Sequence, residues 1–341
     1  MIDNQIILSN DPSRDLKAVI GTYRKVGVLV DTNTIETCFP KVKEALTDSV
    51  IIKVAAGEQH KNLETCTHIW ESLTHHEFDR HALLVVLGGG VLGDMGGFCA
   101  ATFKRGIDFM LVPTTLLAQV DASIGGKLGI DFSHYKNHIG LFRHPVTTLV
   151  APMFLETLPK VELKSGFAEV IKHCLSSDPH MWNTIRTRQL HQQDWEALIR
   201  HSIDFKSHIV DQDPLEKGLR KVLNVGHTVG HALEAAFLAT GEPLTHGEAV
   251  AHGIMIESRI SHQKGMLNKA TLEEIHDFLS TIYGHLPLPD SKGLIRVMKQ
   301  DKKNRDNKIL MALIERIGQV KWDVEVSENE VERSLAYYHS L

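Results

Sequence analysis

The 341 residues exceed the roughly 250–300 at which a single hydrophobic core stops growing, so two domains are expected. With 43% hydrophobic and 23% charged residues and a net charge of -5, the chain reads as an ordinary globular protein. That balance gives no support to a general nucleic-acid or membrane-surface binder and points to a small-molecule partner.

The N-terminal stretch from Met1 to Asp15 has neither the basic start nor the apolar core of a signal peptide, and no apolar run is long enough to span a bilayer, so a cytoplasmic location is expected. Val26 to Val30 reads as a buried strand closed by Asp31, Thr32 and Asn33, and Val50 to Val54 repeats the pattern. Gly57, Glu58 and Lys61 then precede an amphipathic helix through Ile69, Trp70 and Leu73. Ala82 to Leu87 is a third buried strand, running into Gly88-x-Gly90-x-x-Gly93 and a helical segment. Glycines there let a dinucleotide pyrophosphate approach the backbone at a helix N-terminus, whose free N–H groups favour anions. They equally suit tight strand–helix packing. The loop follows the third of these strands, not the first, and Asp94 comes directly after it, so a nucleotide site here would be unconventional.

Ile107 to Val112 forms another strand, ending in Pro113, Thr114 and Thr115, hydroxyls at a strand's carboxyl end that suit a ligand crevice. Asp121, Lys127, Lys136 and Asn137 surround the Gly125-Gly126 pair, either as a site for an anionic, oxygen-rich substrate or as a solvated loop. Leu141 to Ala151 gives a last strand-like run, and Pro145 and Pro152 mark a boundary. The four cysteines, Cys38, Cys66, Cys99 and Cys174, lack C-x-x-C spacing and read as reduced thiols.

From Leu155 onward helical periodicity dominates. On a helix, Glu169, Lys172 and His173 share a face, either offering a metal carboxylate or forming a surface Glu–Lys pair. Lys206, Asp213 and Arg220 lead into Leu223–Ala249, which gathers Asn224, His227, His231, Glu234, His246 and Glu248. His227 and His231, four apart, would point from one helix face as metal-binding pairs do, although 21 histidines also produce such spacing by chance. A helix begins near His246, with Gly247 permitting close approach and His252 read as structural. Asp301, Lys302 and Lys303 fall in a basic loop before a final apolar run.

Taken together, these segments resemble the 3-dehydroquinate synthase family of sugar phosphate cyclases over almost the whole chain. The marks are AGEQHK (Ala56 to Lys61), GGGVLGDMGGF (Gly88 to Phe98), KRG (Lys104 to Gly106), PTTLLAQVDASIGGK (Pro113 to Lys127), KN (Lys136, Asn137), SGFAEVIK (Ser165 to Lys172), LNVGHTVGHALE (Leu223 to Glu234), LTHGEAV (Leu244 to Val250) and DKK (Asp301 to Lys303). Departures are mild: Leu128 for the usual threonine, Tyr135 for a common glycine, Val229 for a common phenylalanine. None removes a charged or metal-binding position.

The resemblance implies an α/β N-terminal Rossmann-like domain that binds NAD (residues 1–152), an all-α C-terminal domain that binds metal and substrate (residues 153–341), and an active site in the cleft between them. It implies zinc, with cobalt as an alternative, on Glu169, His227 and His246, which makes His231 a neighbouring active-site residue instead of a ligand. NAD contacts carry over to Asp31, Glu58, Lys61, Gly88, Gly89, Gly90, Asp94, Thr114, Thr115, Lys127, Lys136, Phe154 and Thr157. Contacts to a phosphorylated sugar acid carry over to Asp121, Lys127, Asn137, Lys172, Lys206, Arg220, Asn224, His231, Lys302 and Lys303. Arg105 corresponds to an arginine that reaches the substrate phosphate of a second subunit, so a homodimer is implied. The implied reaction turns 3-deoxy-D-arabino-heptulosonate 7-phosphate into 3-dehydroquinate and phosphate with catalytic NAD. Rival readings are a cyclase making a valiolone-type or inosose-type ring, a metal-dependent polyol dehydrogenase, and a non-catalytic NAD- or metal-binding module. Retention of Asn224, His231 and the DKK lysines favours the first reading over its closest rival.

Overall fold

The computed structural model describes residues 5–133, 135–299 and 308–341. The chain forms two compact units, Met1–Leu163 and Lys164–Leu341.

Strands of the first unit are β1 (Gln5–Leu8), β2 (Val26–Asp31), β3 (Val50–Val54), β4 (Leu83–Gly88), β5 (Asp108–Pro113), β6 (Lys127–Phe132), β7 (Tyr135–Phe142) and β8 (Thr147–Val150); its helices are α1 (Pro12–Ile20), α2 (Thr34–Thr37), α3 (Leu63–His75) and α4 (Gly90–Thr102). Six strands make a parallel sheet in the order β1-β8-β5-β4-β2-β3. Every residue of β4 is buried, as a central parallel strand covered on both faces demands. Alternation sorts the strand residues into two cores. Leu29, Leu84, Val86, Phe109 and Leu111 face α3 and α4, whereas Val28, Val30, Val85, Leu87, Met110 and Val112 face the opposite side with Leu16 of α1.

The chain places β3 on one side of β2 and then returns to lay β4 on the other. The carboxyl ends of β2 and β4, at Asp31 and Gly88, therefore meet at a switch in strand order, where open α/β sheets form their ligand crevice. This explains why the glycine loop follows β4: the strand beside the crevice matters, and its rank in the chain does not. Lys127, Lys136 and Asn137 lie on an antiparallel hairpin, β6–β7, and not in a loop. The apolar run from Leu141 to Ala151 is split between the end of β7 and β8.

The second unit holds α5 (Lys160–Ser177, beginning just before the boundary), α6 (Pro179–Arg186), α7 (Trp195–Gln212), α8 (His227–Thr240), α9 (His246–Gln263), α10 (Lys269–Tyr283), α11 (Ser291–Lys299) and α12 (Glu328–His339). It also carries one antiparallel hairpin, β9 (Ile309–Arg316) with β10 (Gln319–Val326), formed by the final apolar run. Most of α5 and α9 is buried on all sides, including Ser165–Ser176 and Ala249–Ser258, which makes them the central helices of the unit. All four cysteines are buried and free. Among the described residues no helix is long and apolar enough to cross a membrane.

Candidate active site

Three helices of the second unit converge on one point. Glu169 on α5 is fully buried, His227 opens α8 and His246 opens α9, and one donor atom from each lies within 4.8 Å of the others. The His246 Nε2 and His227 Nε2 atoms stand 3.3 Å and 3.6 Å from Glu169 Oε1. Two ligands each about 2.1 Å from a tetrahedral zinc ion are about 3.4 Å apart, so the donor set fits such an ion.

The outward ring nitrogens are also fixed. His227 Nδ1 donates to the Val225 carbonyl at 3.1 Å, and His246 Nδ1 faces Glu234 Oε2 at 3.5 Å. A carbonyl or carboxylate on Nδ1 leaves Nε2 as the lone-pair nitrogen aimed inward, the usual support of a metal-bound histidine. Burial, reinforced by Lys172, holds His227 well below the usual imidazole range, in the neutral form that ligates. Burial also opposes charge on His246, but hydrogen bonding to Glu169 and Glu234 outweighs it and pushes that group up to about 9. The same carboxylates that favour a proton there would favour a metal ion.

Glycines allow this convergence. Gly226, at φ +79, starts α8 in the left-handed region, and a side chain there would meet the Val250 carbonyl at 2.8 Å. Gly253 of α9 lies so close to the Gly226 carbonyl that no Cβ fits between them. The amide of Gly247 donates to Ser165 Oγ at 3.1 Å, seating the start of α9 on α5. A capping box of Thr245 and Glu248 then fixes the turn that presents His246.

His231, exposed one turn along α8, has its ring 5.4 Å from that of His227 and 6.4 Å from that of His246, beside the trio and outside its donor set. Lys172 pairs with Glu169, and both are buried, so this is an interior ion pair and not a surface one. Lys206 and Arg220 are 6% and 2% exposed. Buried cations are costly without compensating charge, which an anionic ligand would add to. Phe205 and Ile209 of α7 pack against Val222 and Leu223, next to the turn Leu219–Asn224 that carries Arg220 and leads to His227. Arg220 donates to the Pro214 carbonyl, its own amide donates to Asp213, and Asn224 donates to Glu216 Oε1 at 3.0 Å.

In the first unit, Gly88, Gly89, Gly90, Asp94 and Lys127 line one pocket at the end of β4. Asp31, ending β2, accepts from the Asn33 and Thr34 amides. Lys61, 3% exposed, donates to Asp94 Oδ2 at 2.7 Å and to Asn137 Oδ1 at 2.6 Å, tying the glycine loop to the hairpin. Burial raises the Glu58 carboxyl, against the pull of Lys61 and Lys136. Thr114 donates its amide to the Gly88 carbonyl, and Thr115 Oγ1 accepts from Ala118. Asp121 lies in the following turn, Ala118–Ala122. Lys136 is exposed on β7. Phe154 is 1% exposed within the core opposite α4, and Thr157 donates to its carbonyl, so these two are set apart from the pocket's lining residues. Arg105 is exposed at φ +68, following Lys104 at φ +49. Lys302 and Lys303 lie outside the described residues.

Sequence reasoning passed over two acidic residues. Asp131 accepts the Asn137 amide at 2.7 Å and donates its own amide to the Lys61 carbonyl at 2.8 Å, holding Asn137 at φ +50. Glu257, buried directly after the apolar run Ile254-Met255-Ile256, binds the first turn of α8. A lone acid in an apolar helical run was the available signal.

Two family models match consecutive parts of the chain: 3-dehydroquinate synthase N-terminal over residues 51–165 and 3-dehydroquinate synthase C-terminal over residues 166–304. A 3-dehydroquinate synthase of Parabacteroides distasonis is 36% identical, across 99% of this chain and 98% of its own. Among solved structures, the 2-epi-5-epi-valiolone synthase ValA of Streptomyces hygroscopicus, with NAD+ and Zn2+ bound, superposes with a TM-score of 0.89 at 24% identity, covering 100% of this chain and 98% of that one. A 2-deoxy-scyllo-inosose synthase complexed with carbaglucose-6-phosphate, NAD+ and Co2+ gives 0.85 at 21% identity, covering 97% and 96%. At such identities the two structures establish the fold.

Proposed function

The chain belongs to the 3-dehydroquinate synthase family, and on that premise we propose that it converts 3-deoxy-D-arabino-heptulosonate 7-phosphate to 3-dehydroquinate and inorganic phosphate, a carbon–oxygen lyase step in aromatic amino acid biosynthesis. The observation that carries this reading is the 36% identity running through both halves of the chain, joined to the donor set of Glu169, His227 and His246. When bound, a zinc ion on those three residues would polarise a substrate hydroxyl, and NAD at the switch point of the sheet would take a hydride and return it, leaving the cofactor unchanged overall.

The side chains bind and orient. Lys127, Lys206, Arg220 and the DKK lysines neutralise the substrate's carboxylate and phosphate, with Asp121, Asn137 and Asn224 on its hydroxyls. Lys172 is paired with Glu169, which holds its side chain next to the metal trio. His231, adjacent to His227 and exposed, hydrogen-bonds the substrate in this reading. Phosphate departs with a proton from the neighbouring carbon, and its own oxygen takes that proton, so no side chain need act as base there. Asp31, Glu58, Lys61, Gly88–Gly90, Asp94, Thr114, Thr115, Lys136, Phe154 and Thr157 serve NAD, Phe154 through its backbone because its ring is in the core. NAD binding is assigned to residues 1–152, and metal and most substrate binding to 153–341. The enzyme acts as a cytoplasmic homodimer in which Arg105, exposed on a left-handed turn, reaches the partner's substrate phosphate.

Incubation with the heptulosonate phosphate and trace NAD should release phosphate and 3-dehydroquinate in equal amounts, many turnovers per NAD. Stoichiometric NADH without phosphate would instead mark a polyol dehydrogenase. Phosphate release accompanied by a different ring would mark another cyclase.

A further inference from the structure

The helix that presents His227 has no cap of its own. Its N-cap is Gly226, which carries no side chain, yet a helix start leaves several backbone N–H groups needing partners. Glu257 of α9 supplies partners for two of them. Its Oε2 accepts the Gly226 amide at 2.6 Å and its Oε1 accepts the Val229 amide at 3.0 Å, and the residue is 2% exposed. These two amides bracket His227 in the chain. Gly253, four residues before Glu257 on the same face of α9, is the residue whose missing side chain lets Gly226 approach. One face of α9 thus sets both the depth and the rotation of the first turn of α8, while the His227 ring is tied to the Val225 carbonyl in that same turn.

We infer that Glu257 is a positioning residue for the metal ligand His227, an inference that rests on the metal reading above. An ionised carboxylate is the side chain that offers two acceptors and no donor, and its charge complements the positive end of the helix. Glutamine has the same shape but turns an NH2 toward one of the amides. A space-filling role would tolerate that exchange, and a positioning role does not.

The test uses the full-length protein with Glu257→Gln and Glu257→Asp, reading the zinc dissociation constant by chelator competition, the visible spectrum of the Co2+-loaded form, and the urea stability of the metal-free form. Glu257→Gln is expected to weaken zinc by about 10- to 100-fold, as loss of a ligand's support does, and to shift the Co2+ bands. Glu257→Asp, with two acceptors on a shorter arm, should fall between. Wild-type zinc affinity in Glu257→Gln, even with reduced metal-free stability, would reduce Glu257 to a helix cap and overturn the inference. Should the glutamine variant fail to fold, unchanged affinity in Glu257→Asp would overturn it equally. His227→Ala separates the two levels: if it keeps zinc, the ligand reading fails; if it loses zinc while the Glu257 variants do not, only the positioning role fails.

Discussion

Removing Glu169 should do two separable kinds of damage. Its side chain is fully buried and paired with Lys172, itself 2% exposed, so Glu169→Ala strips the ammonium of its nearest counter-charge in a low-dielectric interior. Breaking a buried pair from one side costs about 3–5 kcal/mol, whereas replacing both partners by apolar groups is often close to neutral. Glu169→Ala is therefore expected to lose about 3–5 kcal/mol in urea unfolding with chelator present, and Glu169→Ala/Lys172→Met to regain most of it. Metal analysis should find neither variant holding zinc, because stability returns without the carboxylate ligand. Lys172→Met alone should keep zinc while losing turnover. The reasoning is refuted if Glu169→Ala costs under about 1 kcal/mol, the level of a surface pair, or if the double variant retains the metal.

Asp131→Ala should free the Asn137 amide and raise KM for the sugar phosphate about tenfold with a smaller change in kcat, and Asp131→Asn, which keeps an acceptor, should restore it; equal kinetics for Ala and wild type would remove Asp131 from the site. Arg105→Ala should raise KM for the phosphorylated substrate, roughly 10- to 100-fold for a lost charged hydrogen bond, while leaving NAD binding intact, as steady-state kinetics with each ligand varied will report. Burial holds His252 down to about 4 against an ordinary 6.5, and Tyr338, which accepts the Leu286 amide, is hydrogen-bonded to His252 Nδ1. The folded state then binds fewer protons than the unfolded between those values, so stability is unaffected above 6.5 and falls by up to about 3 kcal/mol as pH drops toward 4. Comparing urea unfolding across that window with His252→Asn isolates this share from the other buried histidines; parallel pH curves would contradict it.

Strands β2, β4 and β5 were readable because a parallel strand buried on both faces must be an unbroken apolar run, whereas β3, expected to be buried like them, is an edge strand with Ile51 and Lys53 exposed. Edge strand β1 was not readable, since its four residues pair with β8 at the far end of the domain, from Gln5 opposite Thr147 to Leu8 opposite Val150. Hairpin β6–β7 passed for a loop because β7 is exposed along nearly its whole length and carries no alternation of apolar and polar faces. Helix–strand alternation in the first half and helical periodicity in the second were legible from local pattern alone, whereas the roles of most charged candidates are implied by the family resemblance.

Which of those candidates stand together was a different matter. Spacing along the chain favours His227 with His231, one turn apart on the same helix, and that much the sequence determined by itself. The family resemblance implies Glu169, His227 and His246 instead, and the tertiary structure supplies the physical cause: α8 meets α9 at the Gly226–Gly253 contact and α9 meets α5 at Gly247 and Ser165. A local repeat fixes which way side chains point from one helix. Only the close approach of several helices, permitted where side chains are missing and held by buried acids such as Glu257, fixes what they point at.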